Sequence, residues 1–155
     1  MNRLPLYFRF DEMVLGNGFL ARVRVDGRAT AEIQDDESVW IFGVFPGGLA
    51  EVGPDLNAAF SVFRHAFRAV LVDIATEKPT FKSFKAEVER FVHETNDEAL
   101  AEWEEARRLV RAGHRPTESM PHDTADRKPG VKVVHLELQP SENRIAEDLR
   151  PLVAA

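Results

Sequence analysis

The 155-residue chain contains no cysteine. That excludes a disulfide framework, a thiolate nucleophile and any cysteine-based zinc site. No run of about 18 uncharged apolar residues occurs, the length a membrane-spanning helix needs. The opening residues MNRLPLYFRFDEMV lack an apolar stretch of signal-peptide length, so a soluble, cytoplasmic protein is expected. Basic residues are the minority, 20 against 26 acidic for a formal net charge of -6. Direct nucleic-acid binding is thereby disfavoured, because phosphate neutralisation needs clustered Lys and Arg. The same sign suits a basic protein partner. There is no G-x-S-x-G, no P-loop, no G-x-G-x-x-G and no internal repeat. The sequence accordingly predicts no catalytic residue, no metal site and no cofactor.

What the chain does have is periodicity of two kinds. In the first third apolar residues recur every second position: Leu4, Leu6, Phe8 and Phe10, then Phe19, Ala21, Val23 and Val25, then Ala29, Ala31 and Ile33. Alternation of this kind marks half-buried strands, and Pro5 places the first at a sheet edge. Gly16-Asn17-Gly18, Asp26-Gly27 and Asp35-Asp36-Glu37 supply the expected turns. Val39–Phe45 is apolar without alternation, which predicts a central strand covered on both faces.

After Gly53-Pro54 the period changes. Asp55 is a good N-cap for a helix of roughly five turns, with Phe60, Phe63, Phe67, Val70, Leu71 and Ile74 on one face. Lys78-Pro79-Thr80 breaks this helix and caps a second, striped by Phe81, Phe84, Val88, Phe91 and Val92. Asn96-Asp97 opens a third, carrying Leu100, Trp103, Ala106 and Val110 and ending at Gly113. Glu98, Glu102, Glu104 and Glu105 precede Arg107, Arg108 and Arg111 along it, an order that complements the helix dipole. Residues 114–130, with three prolines, read as a linker. Residues 131–139 form a late strand whose alternation slips between Val133 and Val134, the mark of a bulge, and a short helix is expected from Ser141.

The expected fold is therefore α+β, one domain over 1–155. An antiparallel β-meander of roughly four to five strands carries the long amphipathic helix on one face, with extra helices completing the cover and the late C-terminal strand returning to the sheet. The helical addition spans 80–112. An exposed sheet edge needs a partner or a guard, so a homo-oligomer, most simply a dimer, is expected.

The most distinctive stretch is GVFPGGLAEVGPDLNAAF at 43–60. Pro46-Gly47-Gly48 turns the strand Val39–Phe45 into a short segment, and Gly53-Pro54-Asp55 ends that segment and caps the long helix. The order from Ala29 onward, strand, tight turn, strand, Pro-Gly loop, short strand ending in Gly and capped amphipathic helix, resembles the HicB-like antitoxins, with a core over about 29–76. The resemblance implies a pared-down ribonuclease H-like sheet without catalytic carboxylates. It also implies a protein-binding role, the neutralisation of a small basic mRNA-cleaving toxin. The chain departs from that pattern in its N-terminal hairpin (4–25), its helical addition and linker (80–130), and the absence of an evident DNA-binding module.

Polar candidates are few. Arg64, His65 and Arg68 share the polar side of the long helix, where they can meet a phosphate or an acidic patch on a partner; a solvated helix face is the plainer interpretation. His93, His114, His122 and His135 have no second histidine at metal-ligand spacing. Besides the protein-binding module, two alternatives stand: a small-molecule or nucleotide-handling enzyme using the Pro-Gly-Gly loop, with Arg64, His65 or Arg68 lining its pocket, and a structural homodimer.

Overall fold

In a computed structural model of the chain, which describes residues 2–114 and 126–137, five strands and three helices follow one another. They are β1 (Asn2–Leu15), β2 (Leu20–Ile33), β3 (Val39–Phe45), β4 (Ala50–Gly53), α1 (Leu56–Glu77), α2 (Phe81–His93), α3 (Asp97–Arg111) and β5 (Gly130–Leu136). All strand pairings are antiparallel. The sheet runs β1-β2-β3-β4, with β5 also on β2. β2 is long enough to hold β1 along one side and both other strands along the second: residues 20–26 pair with β5 and residues 28–33 with β3.

That length corrects one expectation. Asp26-Gly27 is no hairpin turn, because β2 runs straight through it. A Cβ on Gly27 would lie 2.2 Å from Phe8 Cζ and 2.7 Å from the Phe45 carbonyl oxygen. Glycine is there to make room for a ring and a neighbouring backbone, not to turn the chain. The β2–β3 register then shifts, Arg28 opposing Phe45 while Ala29 opposes Gly43, so Val44 is the extra residue of a bulge. The turns at 16–19 and 34–38 are where the sequence places them, with Gly18 at φ 77° and Glu37 at φ 70°.

One face of the sheet, here the inner face, is dry and aromatic. Leu4, Phe8, Phe10 and Val14 of β1 alternate onto it and meet α1. Phe10 stacks on Phe67 at 4.4 Å between ring centroids, and Phe8 meets Phe63 edge-on at 5.4 Å. α1 spans 22 residues, and Asp55 caps it by accepting the Ala58 N–H. α2 starts at Thr80 in a reciprocal capping box with Ser83 and adds Phe84, Val88 and Val92 to the same core. Burying each of these large side chains contributes roughly 1.5–3 kcal/mol.

α3 lies on the opposite, outer face. Trp103 packs edge-on against Tyr7 at 5.7 Å and under the Arg28 guanidinium, and Tyr7 and Arg28 are cross-strand neighbours. β3 is accordingly not covered on both faces. Val39 and Ile41 are buried, but Trp40 points outward at 36% exposure. Its apolar run without alternation arises because Trp40 and Phe42 form an outward-facing stack of their own, 5.8 Å apart. The bulge expected near Val133 is also absent, since β5 keeps an unbroken register with β2 from Gly130 to Leu136. Of the linker, residues 115–125 fall outside the described residues, as does the helix expected from Ser141.

The edges follow from ladder parity. Gly16 N–H donates to the Phe19 carbonyl. In the β1–β2 register the even residues of β1 therefore bond to β2, and the odd ones turn their N–H and C=O outward. Pro5 sits at an odd position and removes no ladder bond.

Candidate functional site

The Pro-Gly-Gly corner does more than reverse the chain. A Cβ on Gly47 would lie 2.7 Å from the Glu94 carbonyl oxygen and 3.2 Å from Asn96 N. Only glycine lets the β3–β4 loop press this closely on the α2–α3 connection. Asn96 holds that connection by accepting the Ala99 N–H at 3.1 Å, capping α3. Between the loop, the first turns of α3 and the outer face of the sheet lies a cleft of about 460 Å³. Phe42, Leu49 and Ala50 line it with apolar surface, Gly47 and Gly48 with backbone, and Glu32, Glu98 and Glu102 with carboxylates. The one cation among its lining residues is Arg3, which reaches Glu32 at 3.5 Å and Glu102 at 3.7 Å. Three carboxylates against one guanidinium leave the cleft acidic.

A strand with one open edge borders it, since β4 pairs only with β3 among the described residues. Gly43 N–H donates to the Leu49 carbonyl at 2.7 Å. In that register Glu51 and Gly53 bond inward to β3, and Ala50 and Val52 turn their N–H and C=O to the open edge. Val52, 41% exposed, stands opposite Trp40. One row of cross-strand neighbours thus runs Arg3, Glu32, Trp40, Val52, from the acidic cleft to an exposed apolar strip and an open strand edge.

The sequence-predicted trio is elsewhere. Arg64, His65 and Arg68 line a separate hollow of about 330 Å³ together with Glu12, Asn57, Phe60 and Ser61. Both arginines reach the Glu12 carboxylate, at 3.9 and 3.4 Å. The enzyme alternative joined this trio to the Pro-Gly-Gly loop in one pocket, and the structure divides them between two. The six turn residues, Pro46, Gly47, Gly48, Gly53, Pro54 and Asp55, stand at the corners expected of them. His93 Nδ1 lies 2.8 Å from the Glu89 carbonyl oxygen, and His135 stacks on Phe81 at 4.7 Å. Among the described residues no three His, Cys, Asp or Glu side chains converge to hold a metal ion.

A third cluster escaped sequence reasoning. Arg28 and Arg107 lie over the Trp103 ring at 4.6 and 5.4 Å, and Asp126 links them at 3.6 and 3.2 Å. These contacts anchor the approach to β5 onto α3. Nothing local in the sequence announces them, because they depend on which face α3 covers.

The chain matches no protein-family model, no curated protein and no solved structure. Its geometry brings an apolar floor, an acidic rim and outward backbone groups together within one short stretch of sheet.

Proposed function

We propose that the protein is a non-catalytic binding module whose partner is a small basic protein. The observation that supports this most is the acidic cleft beside the open β4 edge. An extended segment added along β4 would take hydrogen bonds from Ala50 and Val52, lay an apolar side chain against Phe42 and Leu49, and set Lys or Arg against Glu98 and Glu102. Strand addition of this kind draws affinity from main-chain bonds and specificity from flanking pockets, and the complementary charge speeds encounter.

We further propose that residues 29–76 are a HicB-like core, and that the partner is a small mRNA-cleaving toxin, as that resemblance implies. The cleft is consistent with such a partner, and in this chain Asn96, Glu98, Ala99 and Glu102 of its wall come from the helical addition. Arg64, His65 and Arg68, in their separate hollow, supply a second contact for an acidic group of the same partner.

Affinity capture of the full chain at native expression is the test. It should recover a small basic protein, and Glu98→Lys with Glu102→Lys should weaken the complex by about tenfold or more. Recovery of no basic partner, or of one indifferent to the double reversal, would end the proposal.

A further inference from the structure

The second open edge is the longer one. β1 spans 14 residues and pairs only with β2 among the described residues. By the ladder parity above, Arg3, Tyr7, Arg9, Asp11, Met13 and Leu15 all direct N–H and C=O away from the sheet. Natural proteins pair, cover, or guard so long an edge with proline and charge, and this one carries Pro5, Arg3, Arg9 and Asp11. Leu15 at its end is 73% exposed, the most exposed large hydrophobic residue among the described residues.

We propose that β1 pairs antiparallel with β1 of a second copy, with Phe10 on the two-fold axis. That register sets Arg9 against Asp11 of the second copy, twice by symmetry. Tyr7 then meets Met13, a favourable aromatic–thioether contact, and Pro5 meets the exposed Leu15. No neighbouring register does as well. Centring on Arg9 sets Arg against Arg, centring on Asp11 sets Asp against Asp, and centring on Phe8 or Glu12 opposes no opposite charges.

The rows behind the edge agree. Within one chain Arg9 is the cross-strand neighbour of Asp26, and Asp11 that of Arg24. Arg9 reaches Asp26 at 2.9 Å, and Asp11 takes Arg22 at 2.7 Å and Arg24 at 3.5 Å. Across the two-fold the row becomes Arg24, Asp11, then Arg9 and Asp26 of the second copy, alternating in sign over four strands. Opposite charges directly across antiparallel strands stabilise and like charges destabilise. An unrelated strand would have no reason to match this order, whereas a second copy matches it by construction. The interface is independent of the β4 cleft and leaves that edge free.

Charge reversal provides the test. The wild-type chain should sediment in the micromolar range at twice its 17.5 kDa mass. Arg9→Asp alone, or Asp11→Arg alone, sets like charges together at both contacts and should weaken self-association by about tenfold or more. An equimolar mixture of the two variants restores opposite charges at both contacts and should recover the dimer. Arg9→Pro provides a second arm. It removes an outward N–H while sparing the ladder to β2, as Pro5 does, and should yield a folded monomer. A monomeric wild type, a dimer indifferent to either reversal, a mixture that stays monomeric, or a folded Arg9→Pro dimer would each overturn the proposal.

Discussion

The inner and outer faces of this one sheet are written into the same strands at alternate residues, yet they are built on different physics. On the inner face Phe8, Phe10 and their neighbours meet Phe63 and Phe67 in a dry aromatic core. On the outer face a single tryptophan anchors α3, and beyond it Arg9, Asp11, Arg22, Arg24 and Asp26 form a lattice of ion pairs open to water. The core is sensitive to volume, because interiors are packed to crystal density. The lattice is sensitive to sign and to solvent, and screening keeps each of its pairs weak. The fold therefore rests on the inner face, while the outer face and the edges it reaches are free to carry recognition.

The sharpest way to expose this contrast is to truncate one residue on each side. Phe67→Ala should cost about 3–5 kcal/mol, the transfer term plus the cavity it leaves. It should appear as a large fall in the urea midpoint with little change in slope. Arg24→Ala on the outer face should stay within about 1 kcal/mol. If the two costs proved similar, the division of labour between the faces would be wrong. Next in size is Gly27→Val, where the new side chain must displace Phe8 or the Phe45 carbonyl. Overpacking of this kind costs about 1–3 kcal/mol. A neutral result in the same urea titration would mean that β2 bends locally at 26–27 after all.

The inner face was legible in the sequence and the outer face was not, for a physical reason. Burial imposes a period, so the stripes through Phe63, Phe67 and Leu71, and through Phe84, Val88 and Val92, announced their helices, and the caps at Asp55 and Thr80 and the break at Asn96-Asp97 announced where they start. Asp26-Gly27 misled because a hairpin dipeptide is a local signal. The alternation of Val23, Val25, Gly27 and Ala29, which stays in phase through it, belongs to a longer strand. The cleft was invisible because Arg3, Glu32, Gly47, Glu98 and Glu102 are joined only by topology. Glu98 and Glu102 had a sufficient local explanation in the helix dipole, and nothing near them in sequence places them beside the Pro-Gly-Gly loop. That loop was correctly placed as a corner, and its second role as a cleft wall came from α3 lying on the outer face.

The smallest effect discriminates the faces by pH rather than by size. Arg22 grips the Asp11 carboxylate with two hydrogen bonds, at 2.9 and 2.7 Å, and this contact first, with the nearby charges of Arg22, Arg24 and Arg9 adding to it, holds the Asp11 carboxyl below its ordinary value against the opposing effect of burial. A carboxylate whose folded pKa is depressed contributes stability above its unfolded pKa, near 3.9, and loses that contribution as pH falls through the folded value. Both side chains are partly exposed, so solvent screening limits the contribution to under about 1 kcal/mol. Asp11→Asn should therefore be slightly less stable than wild type at pH 7, at fixed chain concentration. The gap should close below about pH 4 and shrink in high salt. The gap produced by Phe67→Ala should respond to neither, since no charge is involved. An Asp11→Asn gap that stayed constant down to the acid transition would mean that the pair stabilises by packing rather than by charge. The outer face would then rest on the same physics as the inner one.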